Sequence, residues 1–175
     1  MQMSLVLIVI GNDRPGIVES LAGQIAAVGA NWEESRMARL AGKFAGLLRV
    51  NVDDAKAADL EARLSSLAAS GLTVVVERSG EAPAPPRQTL RLELVGNDRP
   101  GIVRDVSRVL ADQRVNIEEL ETEVASAPMS GELLFRASAR LDVPPTVTLD
   151  VLRRQLEALA GELMVDLELD SADET

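Results

Sequence analysis

The octapeptide Gly-Asn-Asp-Arg-Pro-Gly-Ile-Val occurs twice in the chain, from Gly11 to Val18 and from Gly96 to Val103. Its residue types suit the recognition of a small zwitterion. A helix that starts within it offers backbone N–H groups without partners and the positive end of its dipole, and both receive a carboxylate. A neighbouring Asp or Asn accepts hydrogen bonds from an ammonium group. Asn12 and Asp13, and again Asn97 and Asp98, stand in that place, and an α-amino acid carries both charges. The same letters also describe a well-capped turn. Asp13 and Asp98 can cap the helix, and Pro15 and Pro100 suit its first position. Gly11 and Gly96 let the chain leave a strand with torsions, or with a closeness, that a Cβ would forbid. Gly16 and Gly101 then fall inside the first helical turn, where glycine is unfavourable unless something approaches the backbone or a helix packs closely on a strand. Both readings stand on these residues.

Other candidate chemistry is sparse. Asn31 and Asn116 open what reads as the second strand of each half, either as turn residues at positive φ or as ligand contacts. The pairs Glu33/Glu34 and Glu118/Glu119 invite a catalytic or metal reading. Neighbours on a strand point to opposite faces, however, so without a bulge neither pair converges, and solvated strand residues are expected. Asp53-Asp54 reads as a helix cap. The spacing G-x-x-x-x-G lacks the Lys-Ser/Thr of a phosphate loop. The chain contains no Cys and no His, which removes disulfides, thiolate and imidazole catalysis and the commonest zinc ligands. With Lys43 and Lys56 as the only lysines, no convergent catalytic set remains, and no enzyme activity, cofactor or metal is expected.

The elements that position these residues follow from periodicity. Leu90, Leu92 and Leu94 alternate with Arg91 and Glu93, as a half-buried strand does. Ile102, Val103, Val106, Val109 and Leu110 then recur at helical spacing, as do Ile17, Val18, Leu21, Ile25 and Val28. A hairpin follows from about Trp32 to Val52, turning at Ala41-Gly42. A second helix carries Leu60, Leu64 and Leu67 on one face, and Thr73 to Glu77 supplies a last strand. The second half repeats this with Leu149, Leu152, Leu156 and Leu159 and a strand from Met164 to Leu169, beyond which the acidic tail from Asp166 to Thr175 is expected to fray.

The two octapeptides lie 85 positions apart, and the same offset carries Asn31 to Asn116, Glu33 to Glu118 and Glu34 to Glu119. This is an internal duplication. It predicts an α+β protein of two ferredoxin-like βαββαβ domains, each an antiparallel four-stranded sheet with helices on one face. The first domain spans residues 1–79, a proline-rich linker 80–87 and the second domain 88–175.

Composition narrows the partners. A net charge of −10 over 175 residues repels a phosphate backbone, so direct nucleic-acid binding is not expected. The apolar run Leu5 to Ile10 is too short to span a bilayer and lacks a basic flank, so a cytoplasmic chain without a membrane role is expected. By the offset, Arg91 and Glu93 correspond to Val6 and Ile8 in the first half. Apolar residues on an open sheet face predict that something covers it, either the other half or a second chain in a homodimer.

A duplicated βαββαβ unit with these turns resembles the tandem ACT-domain proteins over nearly the whole chain. Within them, the stretch Asn31-Trp-Glu-Glu-Ser-Arg-Met-Ala-Arg-Leu-Ala-Gly-Lys-Phe-Ala-Gly46, with Asn116 to Val124 and Ala127-Pro-Met-Ser-Gly131, is similar to the glycine cleavage system transcriptional repressor group. The turn also resembles the ACT module of formyltetrahydrofolate deformylase. The resemblance implies a non-enzymatic regulator that binds a small amino acid, such as glycine or serine, where paired domains meet. The implied contacts are Asn12, Asp13, Gly16, Ile17 and Asn31, with Asn97, Asp98, Gly101, Ile102 and Asn116. It further implies a protein partner such as a DNA-binding activator. Two other readings are an assembly module without a ligand and a regulatory subunit of an amino-acid metabolic enzyme.

Overall fold

A computed structural model describes residues 1–80, 88–127 and 131–171. The chain divides into two compact units, Met1–Ala82 and Pro83–Thr175. Apart from Gly80, the expected linker lies outside the described residues.

In the first unit, β1 (Gln2–Asn12) leads to α1 (Ile17–Ala27), the hairpin β2 (Asn31–Leu40) and β3 (Lys43–Asp53), α2 (Asp54–Ser66) and β4 (Leu72–Arg78), with a 3-10 turn at Leu67–Ser70. The strand order is β2-β3-β1-β4, all antiparallel. Alternation along β1 sends Leu5, Leu7 and Val9 inward, where each is fully buried. They meet Ile17, Leu21 and Ile25 of α1 and Ala57, Leu60 and Leu64 of α2. Each large aliphatic side chain buried in this way contributes about 1.5–3 kcal/mol relative to exposure. Asp53 caps α2 as expected, its carboxylate accepting from the Ala55 N–H at 3.0 Å. The hairpin turns through Ala41 and Gly42, both at positive φ (48° and 78°), the geometry whose twist matches the flanking strands.

The second unit repeats the order as β5 (Gln88–Asn97), α3 (Ile102–Asp112), β6 (Asn116–Ser126), β7 (Leu133–Val143), α4 (Leu149–Leu163) and β8 (Val165–Ser171), with strand order β6-β7-β5-β8. The acidic tail is more ordered than its composition suggests. Asp166 to Ser171 belong to β8 and pair with β5, while 172–175 lie outside the described residues.

Three local expectations give way to the geometry. The helices begin at Ile17 and Ile102, so Pro15 and Pro100 lie outside them, and the cap positions are Gly16 (φ 88°) and Gly101 (φ 98°). Their torsions are left-handed, which accounts for glycine there without any close approach to the backbone. Neither helix receives a side-chain cap, so Asp13 and Asp98 do not cap. Asn31 and Asn116 do not take positive φ either; that task falls to Gly29 (φ 71°) and Arg114 (φ 57°), which end α1 and α3.

Candidate functional site

Each octapeptide forms the junction at one end of its sheet. In the first unit Asn12 closes β1, its Oδ1 accepting from Lys43 Nζ. The Asp13 N–H donates to the Gly42 carbonyl at 2.9 Å, and its carboxylate accepts from Arg39 Nη1 at 3.4 Å. The junction is thus tied to the tip of the β2–β3 hairpin. Gly16 is exposed, and a Cβ there would find open space. Ile17 is buried in the core, so all it can offer a ligand is its backbone.

The second junction has the same frame, with the Asp98 N–H donating to Leu133 O at 2.9 Å. Asn97 and Asp98 are exposed, and Ile102 is buried. The surroundings diverge one residue past the repeat. Where Glu19 and Ser20 follow the first copy, Arg104 and Asp105 follow the second. The Ser20 hydroxyl donates to Gly16 O at 2.8 Å. Arg104 lies over the second turn, Nη2 standing 3.2 Å from the place a Gly101 Cβ would occupy, and its Nε donates to Asp105 Oδ1 at 2.9 Å. That hydrogen bond holds the Asp105 carboxyl below its ordinary range and raises the Arg104 guanidinium. Each first turn carries one acid, Glu19 or Asp105, and the second start alone adds an arginine, which makes it the more favourable of the two for an anion.

The structure does not bring the second-strand asparagines to these turns within a unit. Asn31 pairs with Asn51, which pairs with Ser4, eight strand positions from Asn12, or roughly 27 Å at ~3.4 Å per residue. Asn116 pairs with Asp142, which pairs with Thr89, again eight positions from Asn97. Turn and asparagine stand at opposite ends of one sheet.

The acidic pairs do converge, contrary to expectation. The register shifts between Trp32 and Glu34 and between Ile117 and Glu119, and this bulge turns each pair toward one arginine of the neighbouring strand. Arg49 Nε lies 3.4 Å from Glu33 Oε2 and Arg49 Nη2 3.6 Å from Glu34 Oε2. Arg140 holds Glu118 at 3.1 Å and Glu119 at 3.0 Å. One guanidinium bridges two carboxylates and offsets half their charge, which makes these clusters fastenings between strands. Among the described residues no group of three His, Cys, Asp or Glu is placed to hold a metal ion. No described helix is long and apolar enough to cross a membrane. Arg39, Arg49 and Arg140 escape sequence reading because their roles depend on cross-strand register and on the bulge, which leave no local pattern; Arg104 is a local signal, the first residue at which the copies differ after the repeat.

Two open βαββαβ units with matching strand-to-helix turns define a tandem regulatory fold, and the chain belongs to the ACT-domain family, whose profiles match residues 4–77 and 86–166. It is similar to the glycine cleavage system transcriptional repressor of Escherichia coli (strain K12), with 25% identity over 166 residues covering 93% of this chain and 86% of that one. A crystal structure of an unknown protein from Galdieria sulphuraria shares 33% identity at a TM-score of 0.88, covering 98% of this chain and 99% of that one. A candidate glycine cleavage system transcriptional repressor shares the fold at 20% identity and a TM-score of 0.73, with 99% of each chain covered.

Proposed function

We propose that this protein is a cytoplasmic, non-enzymatic regulator. In this reading it binds a small amino acid of glycine or serine size and passes that signal to a protein partner, a DNA-binding activator of glycine cleavage. The observation that carries the reading is the pair of uncapped helix starts beside exposed Asn-Asp, repeated in both ACT units. The similarity to the E. coli repressor supports the regulatory class, and the charge of −10 favours a protein partner over DNA. The domains are 1–79 and 88–175, with 80–87 as linker. The contacts are Asn12, Asp13 and Gly16, and Asn97, Asp98 and Gly101; Asn31 and Asn116, at the far ends of their own sheets, do not complete either set within a unit. Ile17 and Ile102 contribute backbone N–H groups alone. The protein acts as a homodimer.

The chemistry asks for no bond making. The carboxylate accepts from the N–H groups at the helix start, and the ammonium donates to Asp and to Asn carboxamide oxygens. Signalling requires only that the ligand bind two states of the regulator unequally, a coupling of about 1–3 kcal/mol in typical cases. Titration calorimetry with a panel of amino acids tests the reading: glycine or serine gives a saturable heat, and Asp13→Ala combined with Asp98→Ala abolishes it with the fold intact. Silence from the whole panel at millimolar concentration leaves an assembly module. That second reading is favoured by one observation, that φ alone explains Gly16 and Gly101.

A further inference from the structure

The two octapeptides are identical, so any difference between their turns is set by the side chains that surround them. Strand register matches those surroundings residue by residue. Lys43 stands opposite Asn12, and Leu134 stands opposite Asn97. Arg39 pairs with Phe44, which pairs with Gly11; Val124 pairs with Phe135, which pairs with Gly96. Where the first unit carries two cations, the second therefore carries a leucine and a valine. The cations of the first unit are engaged. Lys43 Nζ donates to Asn12 Oδ1 and Arg39 Nη1 to Asp13 Oδ2. A primary ammonium and a guanidinium of the chain itself thus already occupy the two side chains that a ligand ammonium would use. Leu134 and Val124 have no donor to offer, and Asn97 and Asp98 are exposed. The helix starts differ in the same sense, since only the second has an arginine, Arg104, laid over its glycine.

We propose that Lys43 and Arg39 are a built-in latch on the first turn, so that an amino acid fills the second turn first and the first turn only at much higher concentration. This inference rests on the amino-acid reading above and says which of its two turns answers. At the second turn a ligand ammonium exchanges water for Asn97 and Asp98. At the first it must displace Lys43 and Arg39, trading one charge-assisted hydrogen bond for another, and any cation left nearby repels it. The latch is displaceable. The Arg39 side chain is 72% exposed, and pairs so open to solvent hold weakly. Both latch residues belong to the β2–β3 hairpin, whose tip also accepts the Asp13 N–H at Gly42 O, so opening the first turn loosens the hairpin from the junction, whereas filling the second does not.

The test is titration calorimetry of the full chain with glycine and with serine. Wild type is expected to saturate its tight phase at one ligand per chain, and Asp98→Ala to remove that phase. Arg39→Val with Lys43→Leu, the residues that the second unit carries at those positions, is expected to raise the count to two. Placed on the Asp98→Ala background, the same pair is expected to tighten the remaining site about tenfold with the circular dichroism spectrum retained. Should the apolar pair fail to fold, Arg39→Gln with Lys43→Gln serves instead. Two equal sites in wild type, a tight phase that survives Asp98→Ala, or a count unchanged by releasing the latch overturns the latch and leaves the amino-acid reading standing. Silence from both wild type and the latch-free chain overturns the two together.

Discussion

A Cβ at Gly16 would find open space, yet the residue sits at φ 88°, where an L side chain is strained. Gly16→Ala is therefore expected to cost about 1–2 kcal/mol from torsion alone, and Gly101→Ala a similar amount, read from urea unfolding. Gly11 and Gly96 have a different reason for being glycine. A Cβ at Gly11 would lie 2.7 Å from Gly71 O, and one at Gly96 would lie 2.9 Å from Val165 Cβ. Gly96→Ala must push β8 backbone aside, at a cost of about 1–3 kcal/mol. For Gly11 and Gly96 torsion and closeness were both open from the sequence, and closeness is the reason the structure has. The torsion at Gly16 and Gly101 was not legible there, because the helix starts two residues later than the proline suggests. The residues after the repeat carry their own expectation: if the second turn receives the carboxylate, Arg104→Glu weakens amino-acid binding about tenfold or more, whereas Glu19→Arg strengthens it at the first turn. Equal affinities across these variants, measured by calorimetry, would remove the helix starts from the site.

Strands and helices were read well where one face is buried. Leu90, Leu92 and Leu94 announce β5, and Ile17, Leu21 and Ile25 announce α1. The bulges beside Glu34 and Glu119 were invisible, since one extra residue in a strand changes neither its composition nor its hydropathy, and with them went the Arg49 and Arg140 clusters. The separation of Asn31 from Asn12 follows from chain direction alone: α1 carries the chain back along the sheet before β2 starts. Glu93 on β5 shows how an exposed strand face sets pH dependence. Burial pushes its carboxyl up, but hydrogen bonds from Arg91 and Ser138 and the Arg91 charge more than offset this, so the net shift is downward from 4.5. A lowered folded-state value means stability that is present above the unfolded-state value and is lost as pH falls through the folded one. The side chain is 39% exposed, so solvent screens the effect. Wild type is expected to exceed Glu93→Gln in stability near pH 7, with the difference closing in acid as the pH falls through the lowered folded-state value. A difference that persists into acid would contradict this.

The duplicated halves have not kept equal cores. In the first unit Leu7, Val50 and Leu21 are fully buried and Leu48 is 1% exposed; in the second, Val106 is 8%, Phe135 9% and Ala139 5%. Register equates Leu48, paired with Leu7, with Ala139, paired with Leu92, and Trp32 with Ile117. Both exchanges shrink the side chain. They leave an apolar cavity of about 30 Å³ lined by Leu92, Ile102, Val106, Ile117 and Ala139. Ala139→Val is expected to stabilise the second unit by about 0.5–2 kcal/mol, seen as a rise of several degrees in its thermal transition. A fall in Tm would mean that the cavity cannot accept the added methyls.

The strand order also has a consequence for synthesis. Leu5 to Ile10, six apolar residues without a charge or a proline, leave the ribosome before both neighbours of this central strand: β3 begins at Lys43 and β4 at Leu72. At ~5–20 residues per second, about 3–12 s pass between the end of β1 and the first residue of β4. For that interval the nascent chain displays the kind of segment that seeds intermolecular pairing. The newborn protein thus depends on prompt hairpin closure or on an escort that shields Leu5 to Ile10.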